Sequence, residues 1–215
     1  MNNDLVKYYK DRAKEYEKLY YKPERQGDLQ QASAILQNLF ADKQVVEIAC
    51  GTGYWTEQIA KTAKAVLATD INVEVLDIAK TKDYGNTPVE FAVANLYELN
   101  PAARYDALFG GFIWSHILLQ DLERFIQTAN ALVKQRGTVV FMDNIYVEGS
   151  STPIARADEQ GNTYQTRKLE DGTEYSVLKN FPTEDFLRQQ LAGLAKDITI
   201  TNLNYYWILS YTTHE

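Results

Sequence analysis

Residues 45 to 53 read Val-Val-Glu-Ile-Ala-Cys-Gly-Thr-Gly, an apolar run holding one acid that passes directly into a turn with glycine at alternate positions. A short apolar run bounded by glycines is the pattern of a strand buried on both faces, as in a parallel sheet covered by helices. The turn after it lets backbone approach a ligand closely, and in a dinucleotide fold the ligand part lying there is an anionic pyrophosphate. Glu47 is out of place beside such a group. At about 6 Å and an effective dielectric near 20, two like charges repel by roughly 3 kcal/mol. The acid suits a cation instead.

The rest of the chain alternates strand and helix patterns, which builds a parallel sheet. Leu29, Ala32, Ile35, Leu36 and Leu39 share one helical face ahead of the strand. A helix is expected from Tyr54 to about Lys64, a strand over 65–68 ending at Asp70, a helix over 73–80, and strands over 89–94 and 107–112. Helical spacing recurs over 118–133, where Gly137 is expected to end the helix and release a fifth strand at 138–142. Residues 163–169 and 174–178 flank Asp171-Gly172, a pair suited to a type I′ hairpin because both tolerate positive φ, so a small antiparallel flap is expected. Thr183 then caps a helix over 183–191, and 197–211 carries two β-rich runs that close one sheet edge as a hairpin.

Three strand ends carry the chemistry. Glu47 and the glycine turn follow the first strand, Asp70 the second and Asn95 the third, all expected at the carboxyl edge of one sheet, where open α/β folds bind ligands. Asp70 is placed to accept both hydroxyls of a ribose, Ile71 offers a surface to a purine face, and Asn95 can pair with the purine edge. Each has a plainer reading: Asp70 as cap of the next helix, Asn95 as a turn residue, the glycines as an ordinary turn.

Residues 45–142 resemble the core of the class I S-adenosylmethionine-dependent methyltransferases of small-molecule type. Val45 to Gly53 is similar to their first motif, Ala-Thr-Asp70 to their ribose-binding strand end, Tyr105-Asp-Ala-Leu-Phe109 to their fourth strand, and Leu132-Val-Lys-Gln-Arg-Gly137 to the turn before their fifth. The resemblance implies one α/β domain over 1–215, with a Rossmann-like seven-stranded, mostly parallel sheet, helices on both faces and an antiparallel closing hairpin. Within it, 1–24 is a lid helix, 45–144 the cofactor core, 150–182 the flap, and 183–215 a helix plus the hairpin. It also implies in-line methyl transfer to a small molecule, with S-adenosylhomocysteine as product. Cofactor contacts would come from Tyr16, Glu47, Ala49, Gly51, Gly53, Asp70, Ile71, Asn95, Leu96 and Gly111. Two residues depart from the family pattern: Ala49 stands where the loop has its first glycine, and Asn95 where an aspartate meets the adenine.

Leu5, Tyr9, Ala13, Tyr16 and Tyr20 share a face of the opening helix, either shielding a cation or packing on the domain. His116, just past the fourth strand, is the candidate general base if its pKa stays near 6.5; a structural role is the alternative. Trp55, Phe112 and Trp114 read as an acceptor pocket or as core. Arg156, Tyr164 and Arg167 read as a site for an acidic acceptor or as surface charge. His214 is expected in solvent.

A net charge of -7 without a dense Lys/Arg run argues against nucleic acid. The single cysteine, Cys50, excludes an internal disulfide, and no apolar stretch is long enough for a membrane span, so a cytoplasmic location is expected. Two further function classes stay open: a NAD-dependent oxidoreductase, disfavoured by Glu47 and by Thr56 in place of a third glycine, and a non-catalytic cofactor-binding relative. The acceptor, its nucleophilic atom and the oligomeric state are not legible.

Overall fold

The computed structural model describes residues 7–9, 11–12, 16–102 and 104–214, the Tyr16 side chain excepted. Strands β1 (Gln44–Ile48), β2 (Ala65–Asp70), β3 (Val89–Val93), β4 (Tyr105–Gly111), β5 (Val133–Asn144), β9 (Lys196–Asn202) and β10 (Tyr206–Thr212) form one seven-stranded sheet in the order β3-β2-β1-β4-β5-β10-β9. The first five are mutually parallel, while β10 runs antiparallel to both β5 and β9. The fold is the expected Rossmann-like sheet with an antiparallel closing pair.

Side-chain alternation divides the core between the two faces. Val46, Ile48, Val139, Phe141, Trp207 and Leu209 point to one face, where helix α4 (Leu122–Leu132) covers them with Leu122, Phe125, Ile126 and Ala129. Val45, Val140, Met142, Tyr206 and Ile208 point to the other, under α1 (Gln26–Phe40) and α2 (Tyr54–Ala60). Both helices α1 and α4 bury residues three and four apart, the spacing read from the sequence. Trp55 and Trp114 are 3% and 1% exposed and belong to these cores, so the packing reading holds for both.

Three local expectations are corrected. Helix α2 stops at Ala60, because Lys64 N already donates to Lys43 O (2.9 Å) on the way into the sheet. Helix α4 ends at Leu132, five residues before Gly137. Arg136 takes the left-handed turn (φ 57), and Gly137 is there for space, since a Cβ would lie 2.7 Å from Lys134 O. In the flap, β7 (Thr163–Lys168) and β8 (Glu174–Leu178) pair as expected, and β6 (Arg156–Ala157) adds a third strand. Their connection is longer than a two-residue type I′ turn. Gly172 N donates to Leu169 O, and of the Asp171-Gly172 pair Gly172 alone has positive φ (91°).

Two helices remain: α3 (Val73–Ala79) and α5 (Glu184–Gln190), the latter capped by Thr183, whose Oγ1 accepts from Phe186 N at 3.2 Å. Of the expected lid helix, residues 7–9 and 11 are helical and Tyr16–Tyr21 forms a 3-10 helix; Leu5, Ala13 and the Tyr16 side chain lie outside the described residues. Among the described residues no helix is long and apolar enough to cross a membrane.

Candidate active site

The carboxyl ends of β1, β2, β3 and β4 open into a cleft. Ile48, Ala49 and Gly51 line it from the first strand and its turn, Asp70 and Ile71 from the second, Asn95 and Leu96 from beyond the third, and Gly111, Phe112 and His116 from beyond the fourth. Eight sequence candidates therefore meet in one place: Ala49, Gly51, Asp70, Ile71, Asn95, Leu96, Gly111 and His116. Glu47 and Gly53 are not in its wall.

The turn is held in left-handed backbone at Ala49 (φ 53), Gly51 (φ 57) and Gly53 (φ 81). For alanine this conformation costs roughly 1–2 kcal/mol. Gly53 precedes α2, and a Cβ on it would lie 2.5 Å from the Tyr84 hydroxyl and 3.0 Å from Ala79 Cβ. Gly53→Ala is accordingly expected to cost about 2 kcal/mol in a urea unfolding titration, from backbone strain and from displacing Tyr84 off the Ala79 carbonyl it bonds at 2.7 Å.

Asp70 is 8% exposed. Its Oδ2 accepts from Gly51 N (3.0 Å) and its Oδ1 from Asn72 N (2.9 Å), so it both ties the turn to β2 and serves the chain entering α3. Burial raises its pKa while these backbone donors pull it down. A carboxylate offers about four lone-pair sites, so two backbone bonds leave room for a diol. Asn95 is engaged as well: its Oδ1 accepts from Tyr97 N (3.2 Å) in a capping box with Glu98.

Glu47 lies at the back of the turn, 1% exposed, accepting from Thr56 Oγ1 at 2.6 Å. Burial raises its pKa from 4.5 to about 8, against the pull of Thr56 and with a smaller push from Asp70. The expectation of a charged carboxylate beside the loop therefore fails for the ligand-free protein at pH 7. Folded Glu47 keeps its proton in a range where an unfolded Glu has lost it, so stability falls as pH rises toward 8. His116 works the other way but weakly: folded it stays neutral, while an unfolded His loses its last half proton above pH 6.5, offsetting only about 0.4 kcal/mol. Between pH 6.5 and 8 the fall due to Glu47 is about 2 kcal/mol. Denaturant unfolding across that window should show it, and Glu47→Gln should flatten it.

His116 departs from the expected base. Its Nδ1 donates to Leu178 O (2.5 Å), so Nε2 is the acceptor for the Tyr9 hydroxyl at 2.7 Å. Burial, aided by the nearby Lys179 cation, pushes its pKa down to about 3. The imidazole thus joins the flap and the N-terminal segment as a neutral bridge. Beneath it, Lys179 Nζ bonds Asp143 Oδ1 (2.8 Å) and Ser115 Oγ (2.7 Å), a buried pair that sequence reading missed.

Tyr20 stacks on Tyr54 with ring centroids 3.8 Å apart rather than covering the cleft. Arg156 lies over the Tyr164 ring (3.6 Å), whereas Arg167 lines a second cavity that shares Tyr9 and Phe112 with the cleft. Phe112 holds positive φ (59°) at that junction, an unusual conformation for an aromatic residue. Gly111 beside it leaves little room for a Cβ, which would meet the Phe109 ring at 3.1 Å and need that ring to give by a few tenths of an ångström. His214 is exposed, as expected.

A parallel sheet with this strand order, a glycine turn after β1 and an acid ending β2 are the features that carry the likeness to class I S-adenosylmethionine-dependent methyltransferases. Residues 45–137 match the methyltransferase domain family. It is 23% identical over 167 residues to an uncharacterized methyltransferase of Anoxybacillus flavithermus, covering 75% of this chain and 78% of that protein. Its fold is similar to that of a DhpI–SAH complex, with TM-score 0.80, 24% identity and coverage of 98% and 96%. It is also similar to 1,6-didemethyltoxoflavin-N1-methyltransferase of Burkholderia thailandensis with bound 1,6-didemethyltoxoflavin and S-adenosylhomocysteine, with TM-score 0.66, 16% identity and coverage of 99% and 88%.

Proposed function

We propose that the chain transfers the methyl group of S-adenosylmethionine to a small-molecule acceptor, with the cofactor in the cleft over the Ala49–Gly51 turn. The observation that carries this reading is Asp70, a buried carboxylate in the cleft wall at the end of β2 with acceptor capacity to spare. Asp70 holds the ribose hydroxyls, Ile71 and Leu96 flank the purine, and Asn95 meets its edge. The backbone of Ala49, Gly51 and Gly111 gives close approach to the amino-acid end. When bound, the cofactor supplies a methyl group already activated by a sulfonium.

The protein's own part is positioning and exclusion of water. Tyr9, held by His116, stands where the cleft meets the second cavity and limits solvent entry there. Tyr16 remains a candidate contact through the resemblance. Glu47 acts from behind the turn: a cation placed over it favours the ionised carboxylate, so cofactor affinity rises as pH goes from 7 to 8. The chain has one cysteine, Cys50, which is buried and has no second cysteine to pair with, and this suits a cytoplasmic setting.

Thermal unfolding tests the reading. At 100 times its dissociation constant a ligand stabilises by about 2.7 kcal/mol, or roughly 5–10 °C for a chain of this length. S-adenosylmethionine and S-adenosylhomocysteine should both produce such a shift and NAD none. A shift with NAD alone would favour the oxidoreductase alternative.

A further inference from the structure

The second cavity has a charge of its own. Among the described residues Arg12, Lys22, Arg25, Arg167 and Lys179 line it and no Asp or Glu does, although acids outnumber bases 29 to 22 in the chain. Lys179 is neutralised from below by Asp143. Arg25 and Arg167 are not: among the described residues no carboxylate lies within 4 Å of either. Arg25 is 8% exposed, and its guanidinium donates only to neutral oxygens, Tyr206 Oη and Ser150 Oγ, each at 3.2 Å, while its buried Nε has no partner. Arg167 leans on a neutral amide, donating twice to Gln165 Oε1.

Buried cations are ordinarily paired, because an ion taken from water keeps its charge at low cost only beside an opposite one. A guanidinium held in place by neutral partners is a ready fork for a carboxylate or phosphoryl oxygen pair. We propose that the second cavity binds the methyl acceptor through an oxyanion, carboxylate or phosphoryl, held by Arg25 and Arg167. The rest of that molecule faces the cleft past Tyr9 and Phe112, the two residues common to both cavities. This assignment rests on the methyltransferase reading and names its substrate class. The residues involved are distant in sequence, coming from the approach to α1 and from β7, so the site exists only in the folded chain.

Calorimetric titration at constant ionic strength tests it, with inorganic phosphate, acetate and the neutral acetamide as probes, and S-adenosylhomocysteine titrated separately. Saturable one-to-one binding is expected for phosphate or acetate and not for acetamide. Tighter phosphate binding would mark a phosphoryl acceptor, tighter acetate binding a carboxylic one. Arg25→Gln and Arg167→Gln should each weaken the anion at least tenfold and leave S-adenosylhomocysteine affinity unchanged. Arg156→Gln, on the Tyr164 ring outside the cavity, should change neither. Should Arg25→Gln fail to fold, Arg167→Gln decides. Wild-type protein that binds S-adenosylhomocysteine but no anion would overturn this proposal alone, as would both arginine variants binding anions like wild type. Anion binding without any S-adenosylhomocysteine binding would overturn the methyltransferase reading and leave only an anion site.

Discussion

Lys179→Met is expected to destabilise the protein by about 3–5 kcal/mol, the usual effect of removing one partner from a buried ion pair. The Lys179 side chain is 4% exposed and Asp143 is fully buried. With the ammonium gone, Asp143 keeps backbone donors from Ser115 (2.9 Å) and Asn144 (2.8 Å), but its charge has no opposite. Adding Asp143→Asn should recover more than about 1 kcal/mol, because the two sites couple directly and the amide oxygen still accepts from Ser115 N. Urea unfolding of the two single variants and the double variant measures this coupling. Strictly additive losses would show that the pair contributes nothing as a pair. The flap should feel the single change first, since Lys179 follows β8 and ties it to the floor of the site.

Asp70→Ala is expected to weaken S-adenosylhomocysteine at least a hundredfold. Two hydroxyl bonds to an ionised acceptor contribute roughly 1.5 kcal/mol or more each, and 1.4 kcal/mol is tenfold in affinity. The substitution also strips Gly51 N and Asn72 N of their acceptor, so the turn loses its tie to β2. Asp70→Asn separates the two effects. Its single carbonyl oxygen accepts at most two hydrogen bonds where the carboxylate accepts about four, so it cannot serve both backbone donors and both hydroxyls, and an intermediate loss in calorimetry is the expected result.

Much of this was legible in the chain. The apolar run of β1, the acid ending β2 and the helical spacing of α1 and α4 each follow from a local pattern, and burial on both faces of the sheet enforces it. Asp70, Ile71, Asn95 and Gly111 were placed correctly at the strand ends because topology brings successive strand ends to one edge. What escaped depends on the third dimension. Tyr9 and His116 are bonded across 107 positions, and no periodicity links Lys179 to Asp143. The pKa values of Glu47 and His116 moved because burial, a tertiary property, outweighs residue type. Gly137 was misread because a glycine after a helix is usually a conformational stop, and here it is a steric one. No local pattern marks Arg25, and only the folded cavity shows that no carboxylate among the described residues lies within 4 Å of it.

The central claim is that the carboxyl edge of this sheet receives an adenosyl cofactor by its sugar. A crystal structure of the S-adenosylhomocysteine complex tests it most directly. Both ribose hydroxyls should lie within hydrogen-bond reach of the Asp70 carboxylate, about 2.5–3.0 Å, with the adenine between Ile71 and Leu96. A ribose bound away from Asp70, or a nucleotide diphosphate seated on the Gly51 turn, would contradict the account.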